Sequence, residues 1–251
     1  RSTHSRSSAA SDVYKRQALD RIHLRKALEG SLSRLKTEYV DLYQIHWPDH
    51  GMRAEDTLEV LDEFVKEGKV RAIGLSNDDS YGVMKSLWTS DLGGMTRIDT
   101  IQNNFSLNNR RDEYELAECL RRESVSLLPY SPLAGGVLTG KYNDGVPAGA
   151  RFSEYLTTGG ARQRAMATRF VNDQTIASTK RFCEIAKELD LDVATLATAW
   201  SKQHDFVAAT IVGVSAASQM EPILKAAGLQ LDEKTFNAID VVSNDIRYPM
   251  G

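Results

Sequence analysis

Five short apolar runs punctuate this chain, and helical patterns fill the gaps between them. The runs are VDLYQI (40–45), GKVRAIGLSN (68–77), IDTIQNN (98–104), VSLLPYS (125–131) and FVAATIVGV (206–214). Between them, apolar residues recur near a 3.6-residue period. Leu19, Ile22, Leu28, Leu32 and Leu35 precede the first run, and Leu58, Leu61, Phe64 and Val65 follow it. Further helical segments are expected at 80–90, 112–123, 173–189, 193–203, 216–226 and 232–244, with Asp78 or Asp79 capping the segment at 80. Strands that alternate with helices need crossover connections, and these give a parallel sheet whose strands are buried on both faces. Residues 131–172 read as one long glycine-rich loop. The chain has no short-period repeat that would make a solenoid.

Each run ends in polar residues or glycine: His46, then Ser76 and Asn77, then Gln102 and Asn103, then Tyr130 and Ser131, then Gly213 and Ser215. In a parallel barrel all strands emerge with their C-terminal ends on one face, so such residues serve one site. Their chemistry suits a flat, amide-bearing, phosphorylated ligand. Ser, Asn and Gln hold a carboxamide in one orientation. Tyr130 offers a ring for stacking. SPLAGGVLTGK brings backbone N–H groups close to phosphate. His46 is then placed to hydrogen-bond a substrate oxygen.

Two other motifs fail on inspection. GGVLTGKY approaches the nucleotide-hydrolase phosphate loop, but Tyr142 stands where a Mg²⁺-binding hydroxyl is required. HWPDH clusters His46, Asp49 and His50, but Pro48 breaks the spacing and no further ligand pair follows, so no metal site is expected. The G-x-G-x-x-G fingerprint of the commonest dinucleotide fold is absent. A net charge of −3 gives no footprint for nucleic acid. No apolar run is long enough to span a membrane, and no signal peptide is visible. With 41% hydrophobic residues the chain builds its core without disulfides, and Cys119 and Cys183 are expected as buried free thiols in a reducing cytoplasm.

YVDLYQIHWPD, GKVRAIGLSN, IQNNFSLNNR and PYSPLAGGVLTGKY, in that order, resemble the strand-end motifs of the aldo-keto reductases. The likeness is to bacterial members with DLYQVHWP and, more loosely, to potassium-channel β subunits; it runs from about Ala18 to the C-terminus. It implies an (α/β)8 barrel of the TIM type and the NADPH-dependent reduction of a small aldehyde or ketone. It implies that His46 orients the carbonyl oxygen, as one of four catalytic residues. Ser76, Asn77 and Gln102 match the carboxamide binders and Tyr130 the stacking ring. Ser131, Leu133, Gly135, Gly136 and Gly140 match the pyrophosphate loop. Gly213, Val214, Ser215 and Gln219 match the loop around the adenosine phosphate. Trp47 and the segment from Arg151 to Tyr155 are expected to shape the substrate pocket.

Two departures accompany the resemblance. The family barrel has eight strands, and residues 18–251 supply about five, so the first three are expected to be lacking, and with them the catalytic Asp, Tyr and Lys. Residues 1–17 have a composition that favours disorder and read as foreign sequence; Tyr14 and Lys15, being adjacent, are no substitute for residues on separate strand ends. The chain alone is therefore expected to be inactive, and a cofactor-sensing or interaction module without turnover stands as the alternative. Second, Ser215 stands where the family usually has Arg or Lys, which removes a charge-assisted clamp on a 2′-phosphate and admits NAD(H) beside NADP(H). The oligomeric state is left open.

Overall fold

The computed structural model describes residues 19–250. The expectation for residues 1–17 lies outside them. The chain forms two compact units that divide between Ile101 and Gln102.

The first unit alternates helix and strand: α1 (Arg21–Leu35), β1 (Val40–Gln44), α2 (Ala54–Lys66), β2 (Val70–Ser76), α3 (Ser80–Gly93) and β3 (Ile98–Gln102, whose last residue opens the second unit). The Asp20 side chain accepts from the His23 N–H and starts α1. Leu24, Leu28 and Leu32 form its buried stripe, whereas Ile22 and Leu35 are exposed, one step off that face. Asp79, of the two candidates, caps α3, accepting from the Gly82 N–H at 3.0 Å. The helix runs past residue 90 and stops where Gly94 turns left-handed at φ 62°.

β1 and β2 are parallel, with Val40 opposite Val70 and Gln44 opposite Gly74, and β3 follows β2 in the strand order. Glycine is required at 74: a Cβ there would lie 2.3 Å from Thr100 Oγ1 on β3. The Gln44 amide donates to Thr100 Oγ1 and to the Leu75 carbonyl, each at 3.2 Å. Burial on both faces holds for β2, which is central. It fails for β1, which lies at the edge of the sheet and has no fully buried residue.

The second unit contains α4 (Glu115–Glu123), β4 (Ser126–Leu127), α5 (Arg151–Thr157), α6 (Ala161–Phe170), α7 (Asp173–Glu188), α8 (Val193–Lys202), α9 (Met220–Lys225) and α10 (Glu233–Asp245). Its core stacks Phe105 on Trp200 at 4.9 Å, with Phe206 edge-on to Phe105. The expected strand at 125–131 is regular only over Ser126–Leu127, because Pro129 has no N–H to continue the ladder. The path is still extended. Tyr130 N–H donates to the Asn103 carbonyl at 2.8 Å on one side, and Ile211 N–H to the Pro129 carbonyl at 2.8 Å on the other. The expected strand at 206–214 reduces to one parallel bridge, Leu127 with Val207, and Ile211 to Val214 are exposed. The expected helix at 216–226 is a 3₁₀ turn, Ala217–Gln219, followed by α9. The expected loop at 131–172 contains a 3₁₀ turn at Ala134–Thr139 and two helices, α5 and α6. Both cysteines are free and half-buried rather than fully buried, and burial raises both thiol pKa values.

Candidate functional site

In the first unit the ends of β1 and β2 are tied to each other. Asn77 follows β2 in the left-handed region at φ 57°, which Asn tolerates better than most side chains. Its amide donates to the His46 carbonyl at 2.8 Å and to Ser76 Oγ at 3.0 Å. That bond fixes the backbone where β1 runs out and the imidazole begins. His46 and Trp47 are exposed, with ring centroids 6.2 Å apart. Ser76 is buried and Asn77 half-buried. His46, Ser76 and Asn77 are therefore brought together, with Trp47 beside them. Asp49 is spent locally, accepting from the Gly51 N–H at 2.9 Å.

In the second unit Gln102 is half-buried and Asn103 buried. The Asn103 carbonyl holds Tyr130 through its N–H, and Phe105 N–H donates back to the Tyr130 carbonyl at 3.3 Å. Tyr130 is thus fixed through both its N–H and its carbonyl to the segment 103–105, and burial raises its phenol pKa. The chain then turns sharply. Ser131 sits at φ 55°, the Ala134 N–H donates to its carbonyl at 2.8 Å, and the Gly136 N–H donates to the Leu133 carbonyl at 2.8 Å.

Gly135 and Gly136 are both left-handed, at φ 65° and 97°. A Cβ on Gly135 would meet Phe152 Cζ at 2.6 Å, and one on Gly136 would meet Lys141 Nζ at 2.8 Å. The N–H groups of Ala134, Gly136, Leu138 and Gly140 are engaged within the turn, and the Lys141 ammonium lies against it. A cation beside a tight, side-chain-free glycine turn suits an anionic group such as a pyrophosphate. Gly140 closes the turn, its N–H bonded to the Val137 carbonyl at 2.9 Å. Tyr130, Ser131, Leu133, Gly135, Gly136 and Gly140 therefore belong to one continuous surface turn. Gly213, Val214, Ser215 and Gln219 form a second exposed loop, closed by Gln219 Oε1, which accepts from the Ser215 N–H at 2.9 Å.

Three groups escape a reading of the sequence. Lys141 lies against the glycine turn although its motif serves a different chemistry in nucleotide hydrolases. Asp112 has its carboxyl hydrogen-bonded by Asn103, and burial pushes its pKa up to about 6. His204 sits among Phe105, Trp200, Phe206 and Phe236, and burial holds its pKa down to about 4. NNRRDEYE reads as surface charge, and nothing local in it reveals that Asp112 is covered.

Comparison with known proteins agrees with this arrangement. The profile of the Aldo/keto reductase family matches residues 10–244. Protein tas of Escherichia coli is 38% identical over 254 residues, covering 93% of this chain and 70% of that protein. The L-glyceraldehyde 3-phosphate reductase of Escherichia coli is 28% identical, over 90% of this chain and 63% of that enzyme. An aldo-keto reductase of Babesia bovis is 28% identical, over 78% of this chain and 77% of its own length. The chain thus spans between about three-fifths and three-quarters of these relatives. The alternating parallel strands and helices are those of part of an (α/β)8 barrel, and the chain belongs to the aldo/keto reductase family of oxidoreductases.

Proposed function

We propose that this chain carries the carbonyl-orienting histidine and the cofactor-holding loops of an NAD(P)H-dependent reductase that converts an aldehyde or ketone to an alcohol. When bound, the nicotinamide dinucleotide supplies the hydride. The observation that carries the proposal is the left-handed pair Gly135–Gly136 with the Lys141 ammonium against it. In this assignment the turn from Ser131 to Lys141 holds the pyrophosphate. Tyr130, fixed through its N–H and its carbonyl to residues 103–105, keeps its ring in place for the nicotinamide to stack on. Ser76, Asn77 and Gln102 hold the carboxamide, which decides the ring face presented to substrate. His46 hydrogen-bonds the carbonyl oxygen, and its backbone anchor through Asn77 limits where the imidazole reaches. Trp47 and the segment from Arg151 to Tyr155 form pocket walls.

The Gly213–Gln219 loop faces the adenosine phosphate. Ser215 supplies no charge there, and its N–H is engaged by Gln219, so both NADPH and NADH are accommodated. No residue from 18 to 251 stands in the positions that the resemblance asks of the catalytic Asp, Tyr and Lys. On that ground the 251-residue chain binds cofactor and turns over little carbonyl.

Nicotinamide fluorescence tests the assignment. Titration of the chain with NADPH and with NADH should give saturable binding, weakened about two- to tenfold by Tyr130→Ala, the loss of one stacked ring. Failure of both cofactors to bind refutes it. Steady carbonyl-dependent NADPH oxidation by the chain alone refutes the second part.

A further inference from the structure

α3 is apolar on the side where a surface helix is normally polar. Its buried face consists of Val83, Ser86, Leu87, Thr89 and Ser90. Its outward face carries Tyr81, Met84, Trp88 and Leu92, which are 75%, 38%, 63% and 75% exposed. Between Tyr81 and Leu92 the only other exposed side chain is Asp91, and Arg97 holds it in an ion pair. Lys85, half-buried beside the stripe, is held by Glu55 at 3.2 Å. An amphipathic surface helix turns charge to water; this one turns out two aromatic rings and two aliphatic chains in a row. A contiguous exposed patch of this kind marks an interaction site.

The spacing of the stripe selects its occupant. We propose that this face of α3 joins two copies of the chain, packed with the two helices antiparallel about a two-fold axis that passes between Met84 and Trp88. In that register Met84 lies on the partner's Trp88 and Tyr81 on the partner's Leu92, so the same four residues satisfy themselves, as an isologous interface requires. Met84, Trp88 and Leu92 form an i, i+4 ridge, the ridge used in the commonest helix-on-helix packing. The antiparallel arrangement also sets each helix N-terminus toward the partner's C-terminus, the favourable order for the helix dipoles.

The area bounds the strength. An aromatic side chain carries roughly 150–250 Å², so the four side chains at these exposures offer about 500 Å² per copy, and pairing removes at most about 1,000 Å² in all. That is the lower bound for a specific interface, and it predicts a reversible dimer rather than an obligate one. A lipid surface is the poorer match, because an interfacial helix carries unengaged Lys or Arg along its rim, and here Lys85 and Arg97 are both paired.

Sedimentation equilibrium of the full chain tests this between about 1 and 100 µM, where an interface of this size dissociates. The expected result is a concentration-dependent monomer–dimer equilibrium. Trp88→Glu and Leu92→Lys, at separate points on the stripe, should each raise the dimer dissociation constant at least about tenfold with unchanged thermal melting, since each introduces charge into both halves of the contact. Oxidation of a Met84→Cys/Trp88→Cys variant should join two chains in the antiparallel register, whereas Tyr81→Cys/Met84→Cys should not cross-link. A wild-type chain that stays monomeric at the highest concentration overturns the proposal. So does a dimer that survives both charge variants, or a monomer whose solubility rises on Trp88→Glu, which assigns the face to a different protein.

Discussion

Replacing His204 with phenylalanine removes one of two buried groups that respond to acid in opposite directions. The His204 side chain is 12% exposed, ringed by Phe105, Trp200, Phe206 and Phe236, and its Nε2 has no hydrogen-bond partner. The charged groups near it are Arg110, Arg121, Glu113, Asp205 and Asp240. Burial, reinforced by the Arg110 charge, holds its pKa at about 4 against 6.5 when unfolded. Between those values the unfolded chain binds a proton and the folded chain does not, so stability falls as pH drops from 6.5 toward 4. At 1.36 kcal/mol per unit, about 2 kcal/mol is lost by pH 4.5.

Asp112 runs the other way. Burial raises its pKa from 3.8 to about 6, so the folded state takes up a proton first, and the protein gains about 2 kcal/mol between pH 7 and pH 4.5. In the wild-type chain the two contributions offset each other. His204→Phe keeps an aromatic ring in the cage and removes only the loss. Its unfolding free energy, from urea melts followed by tryptophan fluorescence at pH 7 and 4.5, should therefore rise by about 2 kcal/mol relative to wild type over that interval. Asp112→Asn should fall by a similar amount. The remaining carboxylates contribute alike to all three chains and cancel in the comparison. If wild type and His204→Phe change in parallel to within about 0.5 kcal/mol, the burial argument for His204 is wrong.

Three further outcomes follow from named contacts. Gly135→Ala places a methyl 2.6 Å from Phe152 at a backbone angle that Ala disfavours, and should cost about 1–3 kcal/mol in a thermal melt, with weakened NADPH binding. Asn77→Ala removes the donor to the His46 carbonyl and leaves Ala left-handed, so a loss of about 1–2 kcal/mol is expected by urea denaturation. Trp200→Ala empties the stack on Phe105 and should cost about 3–5 kcal/mol, enough to expose the second unit to limited proteolysis.

The sequence makes the ends of the strands more legible than their regularity. His46, Ser76, Gln102 and Tyr130 each stand where an apolar run gives way to polar chain, and they do end extended segments. What the pattern misses is set across the chain. Pro129 sits inside an apolar run and has no N–H to give to the 206–214 segment, so 125–131 and 206–214 lie side by side while little of either is regular strand. α5 and α6 carry few apolar positions in a glycine- and alanine-rich stretch. They are fixed by contacts that periodicity does not register: Phe152, fully buried, stacks on Phe170 with centroids 5.2 Å apart.

The same distinction separates the groups whose chemistry could be read from those whose chemistry could not. The glycine pair Gly135–Gly136 announces a tight left-handed turn from its own covalent constraints, because only glycine accepts those angles cheaply. Asp112 and His204 announce nothing, because a pKa is set by what covers the group, and covering residues come from far along the chain, as with Phe105 and Phe236 against His204. α3 is the converse case. Its Tyr81, Met84, Trp88 and Leu92 are visible in the sequence, where an apolar stripe reads as the face a helix buries. Only the fold reveals that α3 instead buries Val83 and Leu87 with Ser86, Thr89 and Ser90 and turns the larger apolar side chains outward.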